Sequence, residues 1–188
     1  MNEVGINSKM KLSEHLATPS EAALSHSNKL DGLRLSPHFT LGELTKSKYA
    51  EVENIPSRVA IENLTRVCTW LEELRFRYNL RYVLPHVSHV SQEEEPIIIN
   101  SGYRSPELNR KVGGAENSNH LTGCAVDIRC YGIEQALRYA VILMDISDES
   151  KEVFDELLIE KHGSTIWLHF AVRPPTQVNR RKIGFLKA

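Results

Sequence analysis

Two short stretches of the sequence carry histidine and aspartate in an arrangement that suits a metal ion. The first runs from His120 to Asp127, with Gly123 between them, and the second is the segment that ends in His169. A catalytic zinc ion takes three protein ligands and keeps a fourth position open for water. Two histidines and one aspartate satisfy that count. The pattern therefore predicts a zinc site formed by His120, Asp127 and His169.

Each of these residues has a plainer explanation when it is taken alone. A single histidine on a strand is most often a structural residue, and an aspartate on a strand is commonly an edge or turn partner. Their joint arrangement favours the metal site. Cys124 is also a zinc-ligand type, but its odd offset from Asp127 places it on the opposite face of a strand, which favours buried packing.

The same region resembles a known family. The run SGYRSPELNRKVGGAENSNHLTGCAVDI, followed by a later W-x-H, resembles the zinc D-alanyl-D-alanine carboxypeptidases and phage endolysin peptidases, whose fold is shared by hedgehog signalling domains. The resemblance covers about residues 39–171 and includes a weaker match at FTLGEL. It implies hydrolysis of D-amino-acid-containing peptide bonds in bacterial peptidoglycan, by a carboxypeptidase or by an endolysin-type endopeptidase.

The resemblance also implies a role for each matching residue. It makes His120, Asp127 and His169 the zinc ligands, and it makes Arg104 a contact for substrate or for transition-state charge. Ser118 would lie beside the metal and orient substrate with its hydroxyl. The plainer alternatives are a surface salt bridge for Arg104 and a turn-capping hydroxyl for Ser118.

One position departs from the family pattern. Many relatives carry an acidic general base three residues before the last ligand, where this chain has Ile166. A subgroup has an acidic residue on the preceding strand instead, and the run DELLIE at residues 155–160 resembles that version. Glu160 is therefore the candidate base, whereas Asp155 and Glu156 are expected to begin the strand and face water.

The position of Glu160 depends on how two strands pair. In an antiparallel hairpin Glu160 shares a face with His169 only if it pairs with Trp167, because a slip of one residue turns it to the other face. The sequence leaves that register open. His162, in the turn, is a lesser candidate for the base.

The periodicity of apolar residues predicts the elements that position these side chains. Helical spacing predicts a long amphipathic helix over residues 57–78 and a second one over 133–144. A serine cap followed by proline predicts a short helix over residues 105–112. Residues 96–100 are almost wholly apolar between turn formers, which predicts a strand buried on both faces.

Further strands complete the predicted sheet. Residues 125–129 form a strand that carries Asp127, and residues 153–160 and 165–172 form an antiparallel hairpin. The predicted fold class is α+β, a small and mostly antiparallel sheet with flanking helices. This class agrees with the hedgehog and DD-peptidase fold that the resemblance implies.

Length and charge limit the remaining possibilities. A chain of 188 residues with 41% hydrophobic residues can bury one core, so we expect a single domain over residues 36–175. Residues 1–35 have the composition of a flexible arm, and residues 176–188 are assigned to a C-terminal tail. The 23 basic and 24 acidic residues nearly cancel, which argues against attraction to nucleic acid. We expect a monomer that acts on a peptidoglycan peptide.

The sequence contains no apolar run long enough for a signal peptide or a membrane span. We expect synthesis in the cytoplasm and action at the cell wall after phage-type release. Three cysteines, Cys68, Cys124 and Cys130, do not form a secreted disulfide framework and are expected to be reduced and buried.

Two other functions remain open from the sequence. Ile166 at the usual base position favours a non-catalytic zinc-containing module that binds the wall or builds a virion. The missing signal favours an intracellular dipeptidase for free D-alanyl-D-alanine, which would need a closed pocket.

Overall fold

The computed structural model of the protein describes residues 32–86 and 94–187. The predicted arm over residues 1–35 therefore lies almost wholly outside the described residues. Within them, the helices are α1 (Leu41–Thr45), α2 (Arg58–Tyr78), α3 (Pro106–Lys111) and α4 (Ile133–Ser150). The strands are β1 (Ile99–Ser101), β2 (Ala125–Cys130), β3 (Glu156–His162), β4 (Thr165–Ala171) and β5 (Lys182–Lys187). A π-helical turn (Asn79–Val83) and two 3₁₀ turns (Leu84–His86 and Asn119–Thr122) connect them.

The helices begin where their capping residues predict. The Ser57 hydroxyl accepts from the backbone N–H of Ala60 at 3.2 Å and starts α2. The Ser105 hydroxyl does the same for Leu108 at 3.3 Å, with proline in the first turn of α3. Helix α4 extends beyond its predicted end at residue 144 to Ser150, and the next residue adopts a left-handed conformation.

The five strands form one sheet in the order β1-β2-β4-β3-β5. The pairs β1–β2, β2–β4 and β3–β4 are antiparallel, whereas β5 runs parallel to β3. The predicted α+β class is confirmed, and the predicted mostly antiparallel sheet is corrected to a mixed one. The sequence could not predict this parallel pairing, because it depends on the C-terminal segment folding back along β3.

The sheet has one apolar face and one polar face, because successive side chains on a strand point to opposite sides. The apolar face packs against α2 and α4, and the rings of Trp70 and Phe170 lie 5.4 Å apart there. Buried residues of the central strands on this face are Val126, Ile128, Leu157, Ile159, Leu168 and Phe170. The opposite face carries Asp127, Glu160 and His169.

The burial of strand β1 and the residues before it differs from the prediction. Residues 96–100 were expected to be buried on both faces, but only Ile97 and Ile99 are buried, and Asn100 is exposed. The reason is that helices cover only one face of this sheet, so alternate residues of the segment point away from the core.

The C-terminal segment returns to the sheet. The sequence assigns residues 176–188 to a tail, and the structure places Lys182–Lys187 in β5. Backbone hydrogen bonds fix its start: Arg181 donates to the Phe154 carbonyl at 3.0 Å, and Lys182 donates to the Asp155 carbonyl at 2.9 Å. This segment therefore lies beside the start of β3.

The three cysteines lie in the interior of the protein. Cys68, Cys124 and Cys130 are buried and form no disulfide. Burial raises the pKa of Cys68 and of Cys130 to about 12, so both remain thiols at neutral pH.

Across residues 32–86 and 94–187, none of the helices combines the length and the apolar character that crossing a bilayer requires.

Candidate metal centre

The two central strands place Asp127 and His169 side by side. Asp127 of β2 pairs directly with His169 of β4, and both side chains point to the polar face of the sheet. Directly paired residues on antiparallel strands have Cβ atoms about 4.5–5.5 Å apart, within reach of one shared ion. Both residues are buried.

His120 reaches the same point from the 3₁₀ turn before β2. The Ser118 hydroxyl accepts from the backbone N–H of His120 at 3.3 Å, and Gly123 ends the turn with a positive φ of 73°. A side chain on Gly123 would also collide with the carbonyl of Ala60. The motif glycine thus allows the turn to pack closely on α2 and directs His120 toward the sheet.

The donor atoms of the three residues are close enough to share one ion. His120 Nε2 lies 3.2 Å from Asp127 Oδ1 and 3.3 Å from His169 Nδ1. His169 Nδ1 lies 2.9 Å from the same Asp127 oxygen. A tetrahedral zinc site with bonds of about 2.0–2.1 Å separates its ligand atoms by about 3.3 Å. The donor set and its spacing therefore fit zinc.

The second nitrogen of each histidine also has a partner. His120 Nδ1 lies 2.6 Å from the Gly102 carbonyl oxygen, and His169 Nε2 lies 3.5 Å from Glu156 Oε2. Metal-binding histidines almost always direct their other N–H at a carbonyl or a carboxylate, which fixes the tautomer. These contacts of the second nitrogens are separate from the spacing of the donor atoms, and they also fit a zinc site.

Burial and neighbouring charges shift the pKa of each of the three donor residues. Burial lowers the pKa of His120, so its ring is neutral. Burial alone would raise the pKa of Asp127, but the two imidazoles outweigh it and hold the pKa well below its usual range. Burial alone would lower the pKa of His169, yet Asp127 and Glu156 outweigh it and raise the pKa to about 9. A metal ion held by these residues would take the place of that proton.

Arg104 contacts the carboxylate of Asp127. Its Nη2 donates to Asp127 Oδ2, the oxygen that faces away from the histidines, and its Nε donates to the Ser101 hydroxyl at 2.8 Å. The ion pair is largely buried, with 17% of the Arg104 side chain exposed. Arg104 is therefore no surface salt bridge, and its contact with Asp127 holds the carboxylate of a donor residue in place.

Glu156 and Glu160 lie on either side of His169 on the polar face. In β3, Glu160 pairs with Trp167, which is the register that turns it toward the face of His169. Glu156 pairs with Ala171. Each carboxylate is thus a diagonal neighbour of His169, at about 7–8 Å between backbones.

The environments of the two carboxylates push their pKa values apart. Contact with His169, aided by Lys182, holds the pKa of Glu156 far below its usual range, although burial opposes this. Burial raises the pKa of Glu160, with Asp127 acting in the same direction. A bound cation would favour the ionised form of both groups. Glu156 is thus the fixed anion of the pair, and Glu160 is the carboxylate that accepts a proton more readily.

The expectation that Asp155 and Glu156 face water is wrong. The Asp155 side chain is fully buried, and only 14% of the Glu156 side chain is exposed. Arg180 binds Asp155 with two side-chain nitrogens, at 2.8 and 2.6 Å, and Arg173 adds a third contact at 3.0 Å. Cations from the C-terminal segment replace the water that these carboxylates would otherwise need.

The site opens into a cleft of about 850 Å³. Its lining includes the three donor residues as well as Arg104, Ser118, Glu160 and His162. The cleft adjoins a second cavity of about 590 Å³, because Lys48, Arg104 and Val112 line both. His162 is exposed at the end of β3, farther along the strand from His169 than Glu160 is.

Sequence reasoning missed Glu156 and the residues that hold it. Glu156 could have been found, because it lies four residues before Glu160 on one strand and so shares its face. Arg180 carries no such signal, since its contact with Asp155 depends on the return of the C-terminal segment.

Comparisons with known proteins add one match. A family model described as peptidase M15 matches residues 37–171. The matched range contains the three donor residues, Arg104 and Glu160, and it ends before the cations that hold Asp155 and Glu156. No curated protein matches the chain.

Proposed function

The chain belongs to the peptidase M15 family, and from this premise we propose that it is a zinc-dependent peptidase of bacterial peptidoglycan. Its substrates would be peptide bonds that contain D-amino acids. The observation that carries this proposal is the buried group formed by His120, Asp127 and His169, whose donor atoms lie 2.9–3.3 Å apart.

Zinc held by these residues would lower the pKa of a bound water toward about 7 and polarise the peptide carbonyl. Glu160 would accept the proton of the attacking water and return it to the leaving amine. Support for Glu160 comes from its place on the face of His169 and from its raised pKa. Two neighbouring carboxylates with pKa values pushed apart are typical of such a division of roles.

Arg104 and Ser118 would handle the substrate. Arg104 would stabilise negative charge that develops on the carbonyl oxygen, or it would bind a substrate carboxylate. Its side chain lines the cleft and donates a hydrogen bond to Asp127, one of the three residues that would hold the zinc. Ser118 also lines the cleft, and its hydroxyl would contact substrate in addition to capping the turn of His120.

The shape of the cleft bears on the substrate. A free dipeptide needs a small, closed pocket, whereas cavities of about 300–1,000 Å³ accommodate much larger ligands. The cleft and its neighbour meet at Arg104 and leave room for a peptide on both sides of that residue. We therefore favour an endopeptidase acting on wall peptides over the intracellular dipeptidase.

The position of Ile166 weakens the non-catalytic alternative. Ile166 lies three residues before His169 on the same strand, so it faces the opposite side and packs against the core. An acidic residue there would not reach the metal in this register. The apolar residue is therefore compatible with catalysis by Glu160.

The decisive experiment combines metal analysis with digestion of purified sacculi. We expect about one zinc per chain, large losses in His120→Ala and His169→Ala, and soluble muropeptide products identified by mass spectrometry. If both variants fold and keep full zinc, the ligand assignment is wrong. If the native protein binds zinc but releases no peptide product, the non-catalytic module replaces the enzyme.

A further inference from the structure

We propose that the C-terminal segment is part of the metal centre: Arg180 and Lys182 hold Glu156, and Glu156 positions His169 for the ion. This inference rests on the proposed zinc site and extends it to residues beyond the range that the family model matches. Glu156 is a positioning residue here, because it acts through His169.

The first step is the contact between Glu156 and His169. Glu156 Oε2 lies 3.5 Å from His169 Nε2, while His169 Nδ1 points to Asp127 and His120. A carboxylate at Nε2 keeps the proton on that nitrogen and leaves Nδ1 with its lone pair toward the metal. Because the ring can rotate about its side-chain bonds, this second contact also fixes its orientation.

The second step is how Glu156 itself is held. Its Oε1 lies 3.1 Å from Arg180 Nη2 and 3.1 Å from Lys182 Nζ, and its Oε2 accepts from Asn119 Nδ2 at 3.1 Å. Lys182 belongs to β5, and the cross-strand register pairs it with Glu156. Without these cations a mostly buried carboxylate would lack charged partners and would turn toward solvent, away from His169.

A second series of hydrogen bonds leads from Arg180 toward His120. Arg180 binds Asp155 bidentately, and its backbone N–H donates to the same carboxylate at 3.1 Å. Asp155 in turn accepts from Asn119 Nδ2 at 2.9 Å. Asn119 directly precedes His120 in the 3₁₀ turn. One arginine thus supports two metal ligands, His169 through Glu156 and His120 through Asp155 and Asn119.

The experiment measures metal affinity and ligand geometry rather than activity. Zinc-loaded full-length protein is titrated with a chromophoric chelator, and the cobalt(II)-substituted protein is examined by visible absorption. The variants are Glu156→Ala, Glu156→Gln and Arg180→Ala. Arg181→Ala is the matched control, because Arg181 is adjacent in the chain but binds Asp148 and Ser147 at 2.6 and 3.0 Å instead.

We expect Glu156→Ala to weaken zinc binding by about 10–100-fold, the usual effect of losing such an outer partner. Glu156→Gln should lose less, because its amide oxygen still accepts from His169. Arg180→Ala should weaken zinc binding and shift the cobalt spectrum, and Arg181→Ala should leave both unchanged. Thermal denaturation of each metal-free variant records any general loss of stability.

Two results would overturn the inference. One is a wild-type zinc affinity and cobalt spectrum in Glu156→Ala, or in Glu156→Gln and Arg180→Ala if the alanine variant does not fold. The other is equal weakening by Arg180→Ala and Arg181→Ala, which would indicate only destabilisation of the segment. A native protein that binds zinc but cleaves no wall peptide would contradict the proposed function and leave this inference intact.

Discussion

Glu160 is the residue on which the proposed chemistry depends most directly. Glu160→Gln keeps the size of the side chain but removes the group that accepts a proton from water. Because Glu160 is not one of the three proposed zinc ligands, we expect full zinc content and a fall in turnover of about a hundredfold or more. Metal analysis and rates of muropeptide release measure the two effects. If the variant keeps most of the wild-type rate, Glu160 is not the base, and His162 is the next residue to test.

Arg104 is the second residue with a separable role. Arg104→Ala should lower turnover by about tenfold to a thousandfold, the scale of one lost electrostatic contact in a transition state. Arg104→Lys keeps the charge but loses the planar fork that reaches both Asp127 and Ser101, so we expect only partial activity. Steady-state kinetics at measured zinc content test this. Unchanged kinetics in the alanine variant would leave Arg104 a purely structural residue.

At the scale of elements, the connection from β1 to α3 must lie very close to α1. A Cβ added to Gly102 would collide with the backbone carbonyl of Leu44, and the Gly102 carbonyl is also the partner of His120 Nδ1. Gly102→Ala should therefore lower the free energy of unfolding by about 1–3 kcal/mol, the usual cost of overpacking. It should also weaken zinc binding, since the shifted carbonyl loses its hydrogen bond.

Urea denaturation and chelator titration measure these two losses. Gly32→Ala is the control, because an added Cβ there would meet no atom within 4 Å. A Gly102→Ala variant as stable as the wild type would show that the two backbones can separate at little cost.

At the scale of the whole molecule, the buried Asp155 links stability to pH. Burial alone would raise its pKa, but its hydrogen bonds with Arg180 and Asn119 outweigh it and hold the pKa below the usual range. A depressed folded-state pKa contributes stability above the unfolded value of about 3.9, and that stability is lost as the pH falls further. Asp155→Asn should therefore cost about 1.5–3 kcal/mol at neutral pH, because the arginines that lose their partner stay partly hydrated.

The pH dependence separates charge from packing. In chelator-treated protein, urea denaturation between pH 7 and pH 3 should show the difference between Asp155→Asn and wild type shrinking below about pH 4. Asp148→Asn is the control, because this exposed carboxylate pairs with Arg181 at the surface and should change stability by about 1 kcal/mol or less. A difference that stays constant over this pH range would contradict a role for the charge of Asp155.

The sequence by itself determined the family and the main local elements. The long helix after Ser57, the short helix after Ser105 and the strands that carry Asp127 and His169 follow from capping residues and apolar periodicity, which are local signals. The motif from Ser101 to Ile128 also indicated the family, which the match over residues 37–171 confirms.

Only the tertiary structure decided the hairpin register, the edge position of β1 and the burial of Asp155 and Glu156. Register depends on which residues of distant strands meet, and a shift by one residue reverses every side chain without changing local propensity. Acidic residues at the start of a strand normally face water. Here Arg180 and Lys182 pair with them, and that pairing exists only because the C-terminal segment folds back along β3. Such contacts join residues far apart in the chain, so no local pattern of the sequence encodes them.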